Sequence, residues 1–318
     1  MPILEIENLT KDFSVGFWKK HPVRALDSLN LEVHRGEIFG FLGPNGAGKS
    51  TTIKLLMHLL HPTSGTARIL GQSVDFVPMH QSIGYLPENP YFYDYLTPRE
   101  LLIYVGRLFG LRQPELSKRV EDLIESVGLS RAADVQLRKF SKGMVQRIGI
   151  AQALINDPEI VFLDEPMSGL DPLGRMDVRR IITSLKTRGV TVFFSSHILP
   201  DVEAICDRVA ILNMGRLQEQ GALDEILKVR IEGHEVILSG YAEKHMNGIR
   251  NFSDEVRPMG DRLHLRVSDS QKMEGLLSFV FSNRLELVSL NPIRQSLEEY
   301  FQSAVGSRQP PADLTKEA

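Results

Sequence analysis

The chain opens with apolar and polar positions in alternation. Ile3, Ile6 and Leu9 stand among Glu5 and Glu7, and Leu29, Leu31 and Val33 repeat with a period of two. This predicts two half-buried strands joined by a long hairpin connection over SVGFWKKHPV. After the turn Arg35-Gly36-Glu37, the run IFGFL has no polar side, as expected of a strand covered on both faces of a sheet. It leads into a glycine-rich loop and a helix from about Lys49, the strand, loop and helix order of an α/β domain.

From about Leu96 the pattern turns helical. Thr97-Pro98-Arg99-Glu100 is a capping box with proline at the first helical position, and LLIYVGRLFG follows with helical spacing. Residues 114–128 and 141–156 read as further helices. The α/β pattern returns with IVFLDE and VTVFFSS, separated by a helix at about 174–188. Past Gly221, strands in HEVILSGY and RLHLRVSD, a helix at about 271–282, the strand LELVSL and a final helix near 295–304 predict a small α+β domain. The expected organisation is a large domain over residues 1–222 with a helical block at about 90–156, then a small domain over 223–306. Residues 307–318 lack an apolar period and are expected to be disordered.

Composition narrows the classes. The 318 residues are 42% hydrophobic and 24% charged, with a formal net charge of −3, so no bulk charge draws the chain to nucleic acid and none is expected as a partner. The single cysteine, Cys206, has no internal partner for a disulfide, and MPILEIEN has neither a basic nor an apolar leader segment, which points to a reducing cytoplasm. The most apolar runs, IVFL and VTVFF, are strand-sized and far short of the ~20 residues that cross a bilayer. Any membrane role must run through another chain.

Residues 43–51, GPNGAGKST, carry the first piece of chemistry. They match Gly-x-x-x-x-Gly-Lys-Ser/Thr, follow a buried strand and open a helix. The glycines Gly43, Gly46 and Gly48, with Pro44, Asn45 and Ala47, let consecutive backbone N–H groups face a phosphate chain at a helix N-terminus. Lys49 neutralises the outer phosphates, Ser50 offers a hydroxyl to magnesium, and Thr51 closes the loop. An ordinary glycine-rich turn would explain the glycines but not the whole motif in this context.

The second piece is IVFLDEP. Four apolar residues form a buried strand and Asp164 sits at its carboxyl end, placed to hold magnesium through water. Glu165 is a second carboxylate with nothing in the local sequence to neutralise it. It reads as the general base for an attacking water, a capping or salt-bridge role being the alternative. His197 ends the strand VTVFFSS on the same edge. Alone it would be a structural histidine; beside these groups it can hydrogen-bond a γ-phosphate.

With these residues in place, the chain resembles the ATP-binding subunit of an ABC transporter over about residues 3–222. GPNGAGKST is similar to the Walker A of that family, IVFLDE to its Walker B, SGLD at 168–171 with Asp171 to its D-loop, and FFSSH to its switch histidine. The resemblance implies a P-loop NTPase of ABC type: a RecA-like α/β core with an antiparallel β subdomain and a helical subdomain. It implies ATP and Mg2+, a head-to-tail homodimer with two ATPs between protomers, and a separate integral membrane permease at the cytoplasmic face of the cell membrane. Glu165, His197 and Lys49 are its implied catalytic residues.

FSKGM stands where the family has LSGGQ. Ser141, Lys142 and Gly143 would then face the γ-phosphate held by the opposite protomer, with Lys142 replacing a glycine and adding charge. Glu88 stands where the family usually has a glutamine that ligates magnesium. Both departures, with the ending PIRQSLEEYF, resemble the branch that pairs a separate export permease with a carboxy-terminal accessory domain. Phe13 is the implied adenine-stacking residue, Phe17 and Trp18 being alternatives. WKKH at 18–21 reads as a solvated hairpin tip, with contact to anionic lipid as the other reading. The resulting expectation is ATP hydrolysis coupled to export. A soluble ABC ATPase that remodels a cytosolic assembly is the rival; a small-molecule phosphotransferase would have no need of SGLD or FSKGM.

Overall fold

The computed structural model describes residues 2–16, 21–228 and 231–294. Phe17, Trp18, the two lysines beside them, the helix expected near 295–304 and the tail lie outside the described residues. The chain divides into two compact units, Met1–Leu223 and Asp224–Ala318.

In the first unit, β1 (Pro2–Val15) and β2 (His21–His34) form a long antiparallel hairpin. The strands run well beyond the alternating segments, into residues expected to form the connection. Cross-strand charge accounts for part of this: Asp12 faces Arg24 in the ladder, and Arg24 Nε donates to Asp12 Oδ1 at 2.8 Å. Then follow β3 (Ile38–Leu42), α1 (Lys49–Leu56), β4 (Ser64–Ile69), β5 (Gln72–Ser73) and β6 (Ile83–Leu86). The first sheet has the order β2-β1-β4-β5.

The helical block contains α2 (Pro98–Leu108), α3 (Glu115–Ser126) and α4 (Lys142–Ala153). The capping box is formed in both directions: Glu100 N–H donates to Thr97 Oγ1 at 3.3 Å and Thr97 N–H to Glu100 Oε2 at 2.8 Å. Leu116, Val120, Leu123 and Ile124 give α3 its buried stripe. Helix α4 packs closely on β6. A Cβ on Gly84 would lie 2.1 Å from the Ala153 carbonyl oxygen, and one on Gly149 2.5 Å from Leu86 Cδ1.

The chain then adds β7 (Ile160–Leu163), α5 (Pro172–Thr187), β8 (Thr191–Ser196), the short α6 (Leu199–Glu203), β9 (Arg208–Asn213) and β10 (Arg216–Ala222). The second sheet is six-stranded, in the order β10-β9-β3-β8-β7-β6, and is parallel except at β10. Every residue of β3, β7 and β8 is buried, and Phe193 packs against Phe39, Phe41 and Phe162 with ring centroids 5.7, 5.3 and 5.4 Å apart. Strands β9 and β10 are additions to the pattern-based expectation.

In the second unit follow α7 (Leu223–Lys228, beginning at the division), β11 (Ile231–Ser239), α8 (Met246–Asn251), β12 (Glu255–Met259), β13 (Arg262–Val267), α9 (Ser270–Ser282) and β14 (Glu286–Arg294). The antiparallel sheet has the order β12-β13-β11-β14. Its alternate residues Val236, Leu238, Leu263, Leu265 and Val267 share a core with Ile249 of α8 and Met273, Leu276 and Val280 of α9.

Asp254 of this unit accepts hydrogen bonds from Lys272 Nζ at 2.5 Å and Ser268 N–H at 2.6 Å, which hold its carboxyl down at about 2. A folded-state value below the unfolded one stabilises the fold above the unfolded value near 3.8, and that contribution is lost as pH falls through about 2. Carboxyl NMR titration should therefore place the Asp254 midpoint near 2, and Lys272→Ala should move it up toward 3.8.

Candidate functional site

The phosphate loop begins where β3 ends at Leu42. Gly48, just ahead of α1, has φ of +109°, and a Cβ there would lie 2.6 Å from the Ala25 carbonyl oxygen of β2, so only glycine fits this turn. Helix α1 starts at Lys49, whose side chain is 6% exposed. Its ammonium donates to the carbonyls of Gly43 at 2.7 Å and Pro44 at 3.3 Å. It also lies 3.1 Å from Glu165 Oε1, a contact of charge, since that oxygen takes no aligned hydrogen bond. The carboxylate that looked unneutralised from its neighbours is thus paired from a remote part of the chain.

Around Asp164 the hydroxyls of Ser50 and Ser195 both donate to Oδ1, at 3.1 and 2.6 Å. Glu165 has φ of +50°, a left-handed conformation that costs a non-glycine residue about 1–3 kcal/mol and persists only where its surroundings impose it. His197 Nδ1 lies 2.8 Å from Glu165 Oε2. Tyr85, on the neighbouring β6, has its phenol pushed up to about 12 by burial and then by the Asp164 charge, so it stays protonated. Glu88, Asn45, Lys49, Ser50, Glu165 and Ala25 are among the residues lining one cavity of about 340 Å³. The phosphate loop, Glu165 and Glu88 thus line one cavity, and Asp164 reaches it through Ser50.

Phe13 does not line that cavity. It sits on β1 opposite Val23, half-buried, with the Lys11 ammonium 5.2 Å from its ring centroid.

Ser141, Lys142, Gly143 and Asp171 line a different cavity of about 350 Å³. Ser141 caps α4, accepting the Met144 N–H at 3.3 Å, and Asp171 caps α5, accepting the Gly174 N–H at 2.9 Å. The Lys142 ammonium lies against Gly169 of the D-loop, where a Cβ would meet it at 2.3 Å. Its charge is thus directed to the D-loop of its own chain. Next along, Arg175 Nε donates to the Leu170 carbonyl at 3.2 Å, and Arg175 and Arg179 stand 4.0 and 3.8 Å from the buried Asp201 of α6. Burial raises the Asp201 carboxyl above its ordinary value, and the two arginines offset only part of that rise. Ser195, Arg175 and Asp201 were not singled out from the sequence. The signal for Ser195 was the pair of serines that ends β8 directly before His197.

A buried parallel sheet, a glycine loop opening a helix and two carboxylates at the neighbouring strand end define a P-loop NTPase. Residues 26–168 match the family described as ABC transporter. The chain is 46% identical over 302 residues to an uncharacterised ABC transporter ATP-binding protein of Synechocystis sp., covering 94% of this chain and 83% of that protein. It is 36% identical to the bacitracin transport ATP-binding protein of Bacillus licheniformis, covering 89% and 93%. A solved ATP-binding subunit of an ABC transporter matches with TM-score 0.61 and 33% identity, covering 70% of this chain and 91% of that one. The chain belongs to the ATP-binding subunits of ABC transporters, and its fold is that of the ABC ATPases.

Gly169→Ala would force a side chain into a backbone with φ of +66° and against Lys142 Nζ. It should lower stability by about 1–2 kcal/mol in urea unfolding, and Lys142→Ala in the same chain should recover the steric part of that loss.

Proposed function

We propose that the chain works as a homodimer that binds and hydrolyses ATP and energises export through a separate integral membrane permease, peripherally at the cytoplasmic face of the membrane. The observation that carries this reading is the paired placement of Lys49 and His197 on the two oxygens of Glu165, at 3.1 and 2.8 Å. A base must be held in one orientation toward its water, and the two contacts fix both oxygens of the carboxylate.

In the proposed reaction the N–H groups of residues 43–51 take the phosphates, and Lys49 turns from the loop carbonyls and Glu165 toward the outer phosphate oxygens. Glu165, released from that charge contact, accepts the proton of the attacking water. His197 orients the carboxylate and reaches the γ-phosphate. The donors around Ser50 and Asp164 suit magnesium: a hydroxyl and a carboxylate oxygen within 3.1 Å, with Glu88 in the same cavity. Among the described residues no cluster of three or more His, Cys, Asp or Glu could hold a metal by itself. When bound, magnesium would spread the charge that develops on the phosphates. Phe13 is proposed as the adenine platform.

The phosphate loop and the Ser141–Gly143 segment line separate cavities. A site that needs both is therefore completed by a second copy, which supports the head-to-tail homodimer. Support for a membrane partner comes from an apolar recess of about 240 Å³ lined by Leu59, Tyr85, Val105 and Phe109 among others, with Tyr91 92% exposed nearby in sequence. Among the described residues no helix is long and apolar enough to cross a membrane. The bacitracin transport relative favours export over remodelling of a cytosolic assembly. The unit from Asp224 onward is proposed as the accessory domain of this branch.

Glu165→Gln should bind ATP within about twofold of the wild type and lose turnover by about 100-fold or more, measured as released phosphate beside equilibrium nucleotide binding. Normal steady-state hydrolysis in that variant removes the assignment. Isolation from detergent-solubilised membranes should bring down a multispanning protein; an entirely soluble complex would argue for the remodelling class.

A further inference from the structure

Strand β8, TVFFSS, is buried throughout and ends on two serines, of which Ser195 is 0% exposed. A hydroxyl placed there is costly unless it is bonded. Both of its bonds go to the two adjacent carboxylate residues: it donates to Asp164 Oδ1 at 2.6 Å and accepts the Glu165 backbone N–H at 2.9 Å. The hydroxyl has one proton, spent on Asp164, and its lone pair meets Glu165, so one side chain sets the rotamer of the first residue and the backbone of the second.

That backbone is the left-handed one, with φ of +50°. Removing the hydroxyl would take the acceptor from the Glu165 N–H and a donor from Asp164, at a position that is itself 0% exposed. The period of two along β8 also puts Ser195 and His197 on the same side, toward the end of β7. Ser195 thus anchors the main chain of Glu165 while His197 meets its side chain at 2.8 Å.

We propose that Ser195 is a positioning residue for ATP hydrolysis, its buried hydroxyl holding Glu165 in its left-handed conformation and Asp164 in its orientation toward Ser50. The inference rests on the ATPase reading above and adds to it the group that fixes the geometry of both carboxylates. Ser195 bonds Asp164 and Glu165 and reaches the phosphate loop only through the Asp164–Ser50 contact, so ATP binding without magnesium and turnover should separate when it is altered.

The test compares full-length wild type, Ser195→Ala and Ser195→Thr. Phosphate release gives kcat, a fluorescent ATP analogue in magnesium-free buffer gives Kd, and a magnesium titration gives the half-saturating concentration. Ser195→Ala should lower kcat by about tenfold or more with Kd within about twofold, and should raise the magnesium midpoint several-fold. Ser195→Thr, which keeps the hydroxyl, should recover most of kcat. Should Ser195→Ala fail to fold, Ser195→Cys, which adds a little volume and weakens both hydrogen bonds, carries the same expectation. Wild-type kcat and magnesium midpoint in the alanine or cysteine variant overturn the inference while leaving the ATPase reading intact. A wild-type chain that binds ATP without hydrolysing it removes both readings.

Discussion

Everything at the phosphate edge depends on three neighbouring parallel strands keeping register. Leu42 of β3 pairs with Ser196 of β8, and Leu163 of β7 with Phe194. This brings the start of the phosphate loop, the Ser195–His197 segment and the Asp164-Glu165 pair to one carboxyl edge, where α/β sheets bind ligands. A slip of one residue would turn every side chain of the shifted strand to the other face. Because all three strands are buried on both sides, that register is held by the ladder itself and by Phe193 wedged among Phe39, Phe41 and Phe162.

Within this frame the electrostatics are nearly self-contained. Lys49 and Glu165 have side chains only 6% exposed, and a lone charge at that depth would be expensive. Each offsets the other, and an incoming phosphate must outcompete both the carboxylate and the loop carbonyls for the ammonium. Around the cavity lined by Ser141, Lys142 and Gly143 the charges are arranged differently. Lys142 leans on Gly169, and Arg175 ties the Leu170 carbonyl toward Asp201, beyond His197. The segments bearing Ser141, Asp171 and His197 are thus linked through α5.

The parts legible in the sequence were those with local causes. The phosphate loop, the Thr97 capping box and the helices α2 to α5 each rest on residues a few positions apart, so their chemistry could be read directly. The hairpin was underestimated because its outer half is held by cross-strand pairs such as Asp12 with Arg24 and not by apolar alternation. Strand β12 escaped notice because EVRPM is an edge strand with a proline and no fully buried residue. The partner of Glu165 and the direction of Lys142 were invisible for a different reason: both are settled by folding together distant segments. Ser195 was visible as an oddity, but its meaning needed the positions of Asp164 and Glu165.

The seam between α4 and β6 has a mechanical consequence. Gly84 faces the Ala153 carbonyl, so at this point strand and helix meet backbone to backbone, while Gly149 makes room for the Leu86 side chain. The first contact has no rotamer with which to absorb a push. The loop with Glu88 leaves one end of β6, and Ala153 closes α4. At Gly84 the strand and the carboxyl end of the helix can therefore shift only together, as one piece of backbone.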